Sequence, residues 1–223
     1  MNESDVKTST FTVSNPFSTK FWSPGAIPYL FDEQEKWDIN TLIGEKFELG
    51  LVMQIVGSHG SGKSTLLRTI MRSLEQQHFT IRFEVLNDRQ RKLSSDFLPI
   101  RHEKRMFYMI DGYEQLSLWE QFRLRFQHWS LTGGLLLTTH KPVLGIRVLY
   151  KTTPRFELFV KLVQELTKTS PAIYSDLFSL GTTELREIYQ RAGGNFRTAF
   201  FELYDIVQEK ELQNDDHEKK TET

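Results

Sequence analysis

Apolar residues crowd into short runs between residues 51 and 150 and then settle into a helical repeat. The runs LVMQIV (51–56), FTIRFEVL (79–86), MFYMI (106–110), GLLLTT (134–139) and IRVLY (146–150) have the length and composition of strands. Between them, KSTLLRTIMRSLEQQ from Lys63 predicts a helix, and an aromatic-rich stretch from Glu114 to about Trp129 predicts another. Strands interleaved with helices belong to the α/β class, with a mostly parallel sheet flanked by helices on both faces. After residue 154 the period changes. RFELFVKLVQEL places Phe156, Phe159, Val160, Val163 and Leu166 on one helical stripe, and FRTAFFELYDIV does the same with Phe196, Ala199, Phe200, Leu203 and Ile206.

The pattern divides the chain into an α/β domain over 15–154, a small helical appendage over 155–208, and flexible tails at 1–14 and 209–223. The tails are polar or charged and carry few large apolar side chains, so burial cannot offset the entropy of ordering them. NPFSTKFWSPGAIPYLF (15–31) predicts an extended arm packed on the domain surface, because its three prolines oppose both helix and central strand.

Composition removes several chemistries. The chain has 28 Lys and Arg against 29 Asp and Glu, so it presents no overall basic field for nucleic acid or anionic membrane. A local basic stretch, with Arg89, Arg91, Lys92, Arg101, Lys104 and Arg105, leaves nucleic acid as an unfavoured partner, with Arg123 and Arg125 as possible reinforcement. No cysteine is present, which excludes disulfides, thiolate metal sites and cysteine nucleophiles. The start lacks a basic segment followed by an apolar run, and no stretch is long and apolar enough to span a bilayer. The expectation is a soluble, cytoplasmic protein.

The densest chemical signal is GSHGSGKST (57–65), which completes G-x-x-x-x-G-K-[ST] between a predicted strand and a predicted helix. In that setting the backbone N–H groups of Gly57, Ser58, His59, Gly60, Ser61, Gly62, Lys63, Ser64 and Thr65 would cradle phosphates, helped by the helix dipole. Lys63 would reach the terminal phosphates and Ser64 would ligate Mg²⁺. MFYMIDGYE ends a strand in Asp111, the second group expected to hold Mg²⁺. Gly112 follows, where a catalytic glutamate often stands. Glu114 either turns back to position water or begins a helix favoured by its dipole. LLLTTH ends the next strand in Thr138, Thr139 and His140; Thr139 is the favoured phosphate sensor and His140 an outside candidate.

Together these motifs resemble AAA+ and related P-loop ATPases over about residues 45–207. The phosphate loop matches the Walker A motif, MFYMIDGYE the Walker B strand and LLLTTH the sensor-one strand. AGGNFRTAFFELYDIV looks like a lid helix with a G-x-x-R sensor-two motif at Gly194 and Arg197. The resemblance implies that Arg197 touches the γ-phosphate, that Arg147 lies where an intersubunit arginine finger is often found, and that Tyr29 and the arm's prolines flank adenine. Arg147 also reads as an ordinary surface arginine. Gly112 departs from the family pattern, and the chain has no room for large substrate-processing domains, which puts ring assembly and vigorous hydrolysis in doubt.

The expected function is an Mg²⁺-dependent ATPase binding ATP and ADP, with Lys63, Glu114, Thr139 and Arg197 in catalysis and lid movement communicated to a protein partner. The alternative is a nucleotide-gated switch with little or no hydrolysis. A small phosphotransferase, drawing on Arg186, Arg191 and Arg197, is a third reading. The absence of N-K-x-D disfavours a GTPase, and the absence of L-S-G-G-Q disfavours a transporter ATPase. A homo-oligomer remains open.

Overall fold

A computed structural model describes residues 15–32, 35, 37–48, 50–95, 97, 105–127, 134–168 and 181–221. Five strands form one sheet: β1 (Val52–Gly57), β2 (Thr80–Val85), β3 (Met106–Asp111), β4 (Leu135–Thr139) and β5 (Arg147–Thr152). Their order is β2-β3-β4-β1-β5, and every pairing is parallel. Each predicted strand is present to within two residues. The carboxyl ends of β1, β3 and β4 therefore reach the same edge of the sheet, where open α/β sheets place their ligands.

The helices are α1 (Thr19–Trp22), α2 (Ile39–Lys46), α3 (Lys63–Gln76), α4 (Leu118–Gln127), α5 (Phe156–Thr167), α6 (Thr182–Arg191) and α7 (Phe196–Thr221). One face of the sheet packs Met53, Ile55, Phe107, Met109 and Leu136 against Leu66, Leu67, Ile70 and Leu74 of α3. The other face packs Tyr108, Ile110, Leu135 and Leu137 against Tyr113, Leu116 and Leu124. A third core joins α5, α6 and α7 through Phe159, Val163, Ile188, Phe200 and Leu203. This is the helical lid.

Several boundaries differ from expectation. The helix expected from Glu114 begins at Leu118, because Tyr113–Gln115 forms a 3₁₀ turn after Gly112. The final helix continues to Thr221, through the stretch expected as a tail. Once the apolar stripe has nucleated it, each added Glu, Gln or Lys extends the helix at little cost. Two helices have weaker sequence signals: α2 is capped by Asp38, whose side chain accepts from Thr41 N at 2.7 Å, and α6 buries only Leu185 and Ile188.

The arm is also more than an extended strip. It contains α1, and its first half belongs to the lid core: Phe17 is fully buried there, and Asn15 Nδ2 donates to Tyr204 O at 3.0 Å. Its second half is fastened to α3, where Tyr29 N donates to Thr69 Oγ1 at 2.9 Å. The arm thus bridges lid and sheet domain.

Candidate nucleotide site

The loop between β1 and α3 is closed on itself. Lys63 Nζ donates to Gly57 O at 2.7 Å and to Ser58 O at 2.8 Å. Ser61 Oγ donates to Ser58 O at 2.8 Å and lies 2.7 Å from Thr152 Oγ1 on β5. Burial lowers the Lys63 pKa; Glu114 and Asp111 oppose that shift, and Arg197 adds to it. Those three charges therefore converge on one ammonium group.

Asp111, at the tip of β3, is gripped by two hydroxyls. Ser64 Oγ donates to its Oδ1 at 3.0 Å, and Thr138 Oγ1 donates to the same oxygen at 2.7 Å. Thr138 Oγ1 also accepts from Gly112 N at 2.8 Å. A hydroxyl and a carboxylate brought together beside a phosphate loop suit a hard cation such as Mg²⁺, which takes few protein ligands and completes its shell with phosphate and water. Among the described residues no cluster of three or more His, Cys, Asp or Glu is arranged to hold a metal by itself.

Thr139, the expected sensor, faces elsewhere. Its Oγ1 donates to Gln54 Oε1 at 3.0 Å inside the sheet. Successive side chains on a strand point to opposite faces, so only one of the two threonines can meet Asp111, and that one is Thr138. Gln54 is itself fully buried and satisfied: it also accepts from Val143 N and donates to Val143 O and Ile146 O. The threonine that meets Asp111 thus lies one residue before Thr139.

Gly112 has φ +88°, and a Cβ there would lie 2.8 Å from Leu86 O. Backbone and neighbour both oppose a glutamate at this position. The 3₁₀ turn that follows carries Glu114 back to the site, where its Oε1 lies 2.9 Å from His140 Nδ1. Burial raises the Glu114 pKa, with Lys63 and His59 among the opposing groups. Glu114 Oε2 is buried without a hydrogen-bond partner among the described residues. The His140 pKa falls to about 4, chiefly through burial and then through Lys63 and His59. His140 is therefore neutral at neutral pH, with its Nδ1–H available to Glu114. The His59 and His140 rings lie 3.8 Å apart between centroids.

Beside the loop lies a cleft of about 830 Å³, open to solvent. Ile27, Pro28 and Tyr29 of the arm form one wall, Leu158 and Phe196 of the lid another, and Gly60 to Thr65 the floor. Arg197 lines the same cleft from the first turn of α7. Asn195 caps that helix, its Oδ1 accepting from Arg197 N at 3.0 Å. Tyr29 packs edge-to-face with Phe31 and Tyr150 and also borders the cleft.

The other arginines are occupied elsewhere. Arg147 begins β5, paired with Met53 rather than with the loop end of β1, and makes an ion pair with Glu48. Arg186 stacks on Phe156 at 4.1 Å, and Arg191 pairs with Glu202 at 2.5 Å. Of Arg186, Arg191 and Arg197, it is Arg197 that lines the cleft. Of the basic stretch, Arg89, Arg91, Lys92 and Arg105 are exposed, while Arg101 and Lys104 lie outside the described residues. Arg123 pairs with Glu120 at 2.8 Å, and the Arg125 side chain also lies outside the described residues.

The family model described as ABC transporter matches residues 43–186, more than half of the chain. The chain belongs to this family of P-loop ATPases. The matched range of this P-loop ATPase takes in the phosphate loop, Asp111 and His140. Its fold is that of domain III of the replication initiation protein DnaA from Thermotoga maritima. The TM-score is 0.58 at 14% identity, over 91% of this chain and 92% of that one. Cdc6p from Pyrobaculum aerophilum is similar to the same degree, with a TM-score of 0.58 at 16% identity over 88% of this chain and 67% of that one. At these identities the likeness is one of fold, a parallel sheet domain carrying a helical lid. No curated protein matches the chain. Among the described residues no helix is long and apolar enough to cross a membrane.

Proposed function

We propose that this P-loop ATPase binds Mg²⁺ and ATP in the cleft between loop, arm and lid, and hydrolyses ATP with Glu114 as the carboxylate that positions water. The convergence of Ser64 Oγ and Asp111 Oδ1 at 3.0 Å, beside a loop whose lysine is held 2.7 Å from Gly57 O, carries this reading. Ser64 and Asp111 would hold the metal, which would neutralise phosphate charge. Lys63 exchanges its backbone carbonyls for phosphate oxygens. Thr138 orients Asp111. The raised pKa of Glu114 makes its carboxylate a stronger proton acceptor, and the neutral His140 holds one of its oxygens. Arg197 approaches the terminal phosphate from the lid, so that nucleotide binding and lid position are linked and can be presented to a protein partner.

The test is phosphate release from ATP with Mg²⁺, alongside calorimetric binding. Lys63→Ala is expected to lose both, and Glu114→Gln to lose release while still binding. Binding in the parent without release above background would overturn hydrolysis. It would leave the second reading, a nucleotide-held switch, which Gly112 favours by excluding a glutamate directly after Asp111.

A further inference from the structure

His59 stands between two anchored neighbours in the phosphate loop. Ser58 gives its carbonyl to Lys63 Nζ at 2.8 Å and to Ser61 Oγ at 2.8 Å. Gly60 packs beneath Asn195, the cap of the lid helix; a Cβ on Gly60 would lie 1.8 Å from Asn195 Oδ1. The His59 ring leans out of the loop onto His140, with centroids 3.8 Å apart and planes at 48°. His140 Nδ1 in turn lies 2.9 Å from Glu114 Oε1. A continuous line of contact therefore runs from the Lys63 ammonium to the Glu114 carboxylate, and from the lid into its middle.

We propose that His59 is a positioning residue that couples occupancy of the phosphate loop to the aim of Glu114, acting through its ring contact with His140. This rests on the reading of Glu114 as the carboxylate that positions water. Phosphate taken up by the loop competes with Gly57 O and Ser58 O for the protons of Lys63. Ser58 O then keeps its bonds from Ser61 Oγ and Ser61 N, and the peptide that joins Ser58 to His59 turns about them, carrying the His59 side chain with it. The His59 ring is exposed and the His140 ring half-buried, so their 3.8 Å contact is the path by which such a turn reaches His140. His140 follows β4 directly, and its Nδ1, 2.9 Å from Glu114 Oε1, passes the displacement to Glu114. A misplacement of about 1 Å at such a group costs on the order of 100-fold in rate, so a modest turn of the ring is enough to separate a resting from a working carboxylate.

The experiment follows the imidazole C–H resonances of the full chain by NMR, at fixed pH, during additions of Mg²⁺-ADP and separately of inorganic pyrophosphate. His59→Ala and His140→Gln assign the two signals among the six histidines. In the parent, both signals are expected to move together and saturate with the binding heat. In His59→Ala at saturating ligand, the His140 signal is expected to lose most of that movement. His59→Phe, which keeps a ring, is expected to restore it, together with turnover reduced about tenfold in His59→Ala. A His140 signal that responds equally in parent and His59→Ala, with ligand bound in both, overturns the coupling alone. Absence of any binding heat in the parent overturns the nucleotide-site reading and the coupling with it.

Discussion

Asn195 of the lid rests directly on Gly60 of the phosphate loop. A Cβ added to Gly60, whose φ is +68°, would lie 1.8 Å from Asn195 Oδ1, the atom that caps α7. The Asn195 side chain therefore lies directly against the loop backbone, and the helix that presents Arg197 is seated on the loop that holds Lys63.

Gly60→Ala is expected to be destabilised by about 1–2 kcal/mol for the left-handed backbone, with a further loss of about 1 kcal/mol if the Asn195 cap is displaced. Asn195→Ala by itself should lose only the cap. Denaturant unfolding of the two single variants and the double variant checks this: the effects should add up to less than their sum, because both break one contact.

Gly112→Glu places a carboxylate where related ATPases often carry one. It is nevertheless expected to lower stability by about 1–2 kcal/mol and to leave phosphate release no higher than in the parent, since the added Cβ meets Leu86 O. Unfolding curves and release assays on Gly112→Ala and Gly112→Glu separate the backbone cost from the effect of the carboxylate. A rise in turnover would show that the turn opens freely.

The two threonines ending β4 should part company. Thr138→Val removes a hydrogen bond to Asp111 and should weaken the dependence of nucleotide affinity on Mg²⁺. Thr139→Val removes a buried bond to Gln54 and should cost about 1 kcal/mol of stability with nucleotide affinity nearly unchanged. Calorimetry with and without Mg²⁺, set beside unfolding, reads both.

His140 makes stability depend on pH on the acid side. Its pKa is about 4 in the folded chain against 6.5 when free. The folded state therefore binds fewer protons than the unfolded state between these values. The contribution is fully present above pH 6.5 and is lost as pH falls toward 4. His140→Gln is expected to flatten that part of the stability profile. Glu114, whose pKa is raised, acts in the opposite sense: its contribution is present at low pH and lost as pH rises through its folded value. A parent and His140→Gln with parallel profiles from pH 6.5 to 4 would count against the burial of this ring.

Much of this architecture was legible in local pattern. The central strands β1, β3 and β4 are nearly continuous apolar runs and the edge strands β2 and β5 keep short apolar runs broken by charge, so all five could be read between Leu51 and Tyr150, and the lid helices followed from the stripe of phenylalanines at helical spacing. The phosphate loop was legible because its chemistry is carried by the backbone of consecutive residues. Helices α2 and α6 were not, since each rests on a cap and one or two buried side chains.

What the sequence determined by itself was therefore whatever depends on neighbours along the chain: the strand lengths, the helix at Lys63, the aspartate at a strand tip and the missing glutamate after it. What only the tertiary structure decided was which side chains meet across elements. Parity along β4 sent Thr138 to Asp111 and Thr139 to Gln54. The left-handed Gly112 and the 3₁₀ turn after it brought Glu114 to His140. Packing divided the arm between lid and sheet domain, with Phe17 in one core and Tyr29 against the other. Each of these outcomes turns on a single residue of register or one backbone angle, and hydrophobic periodicity, averaged over many residues, carries no record of them.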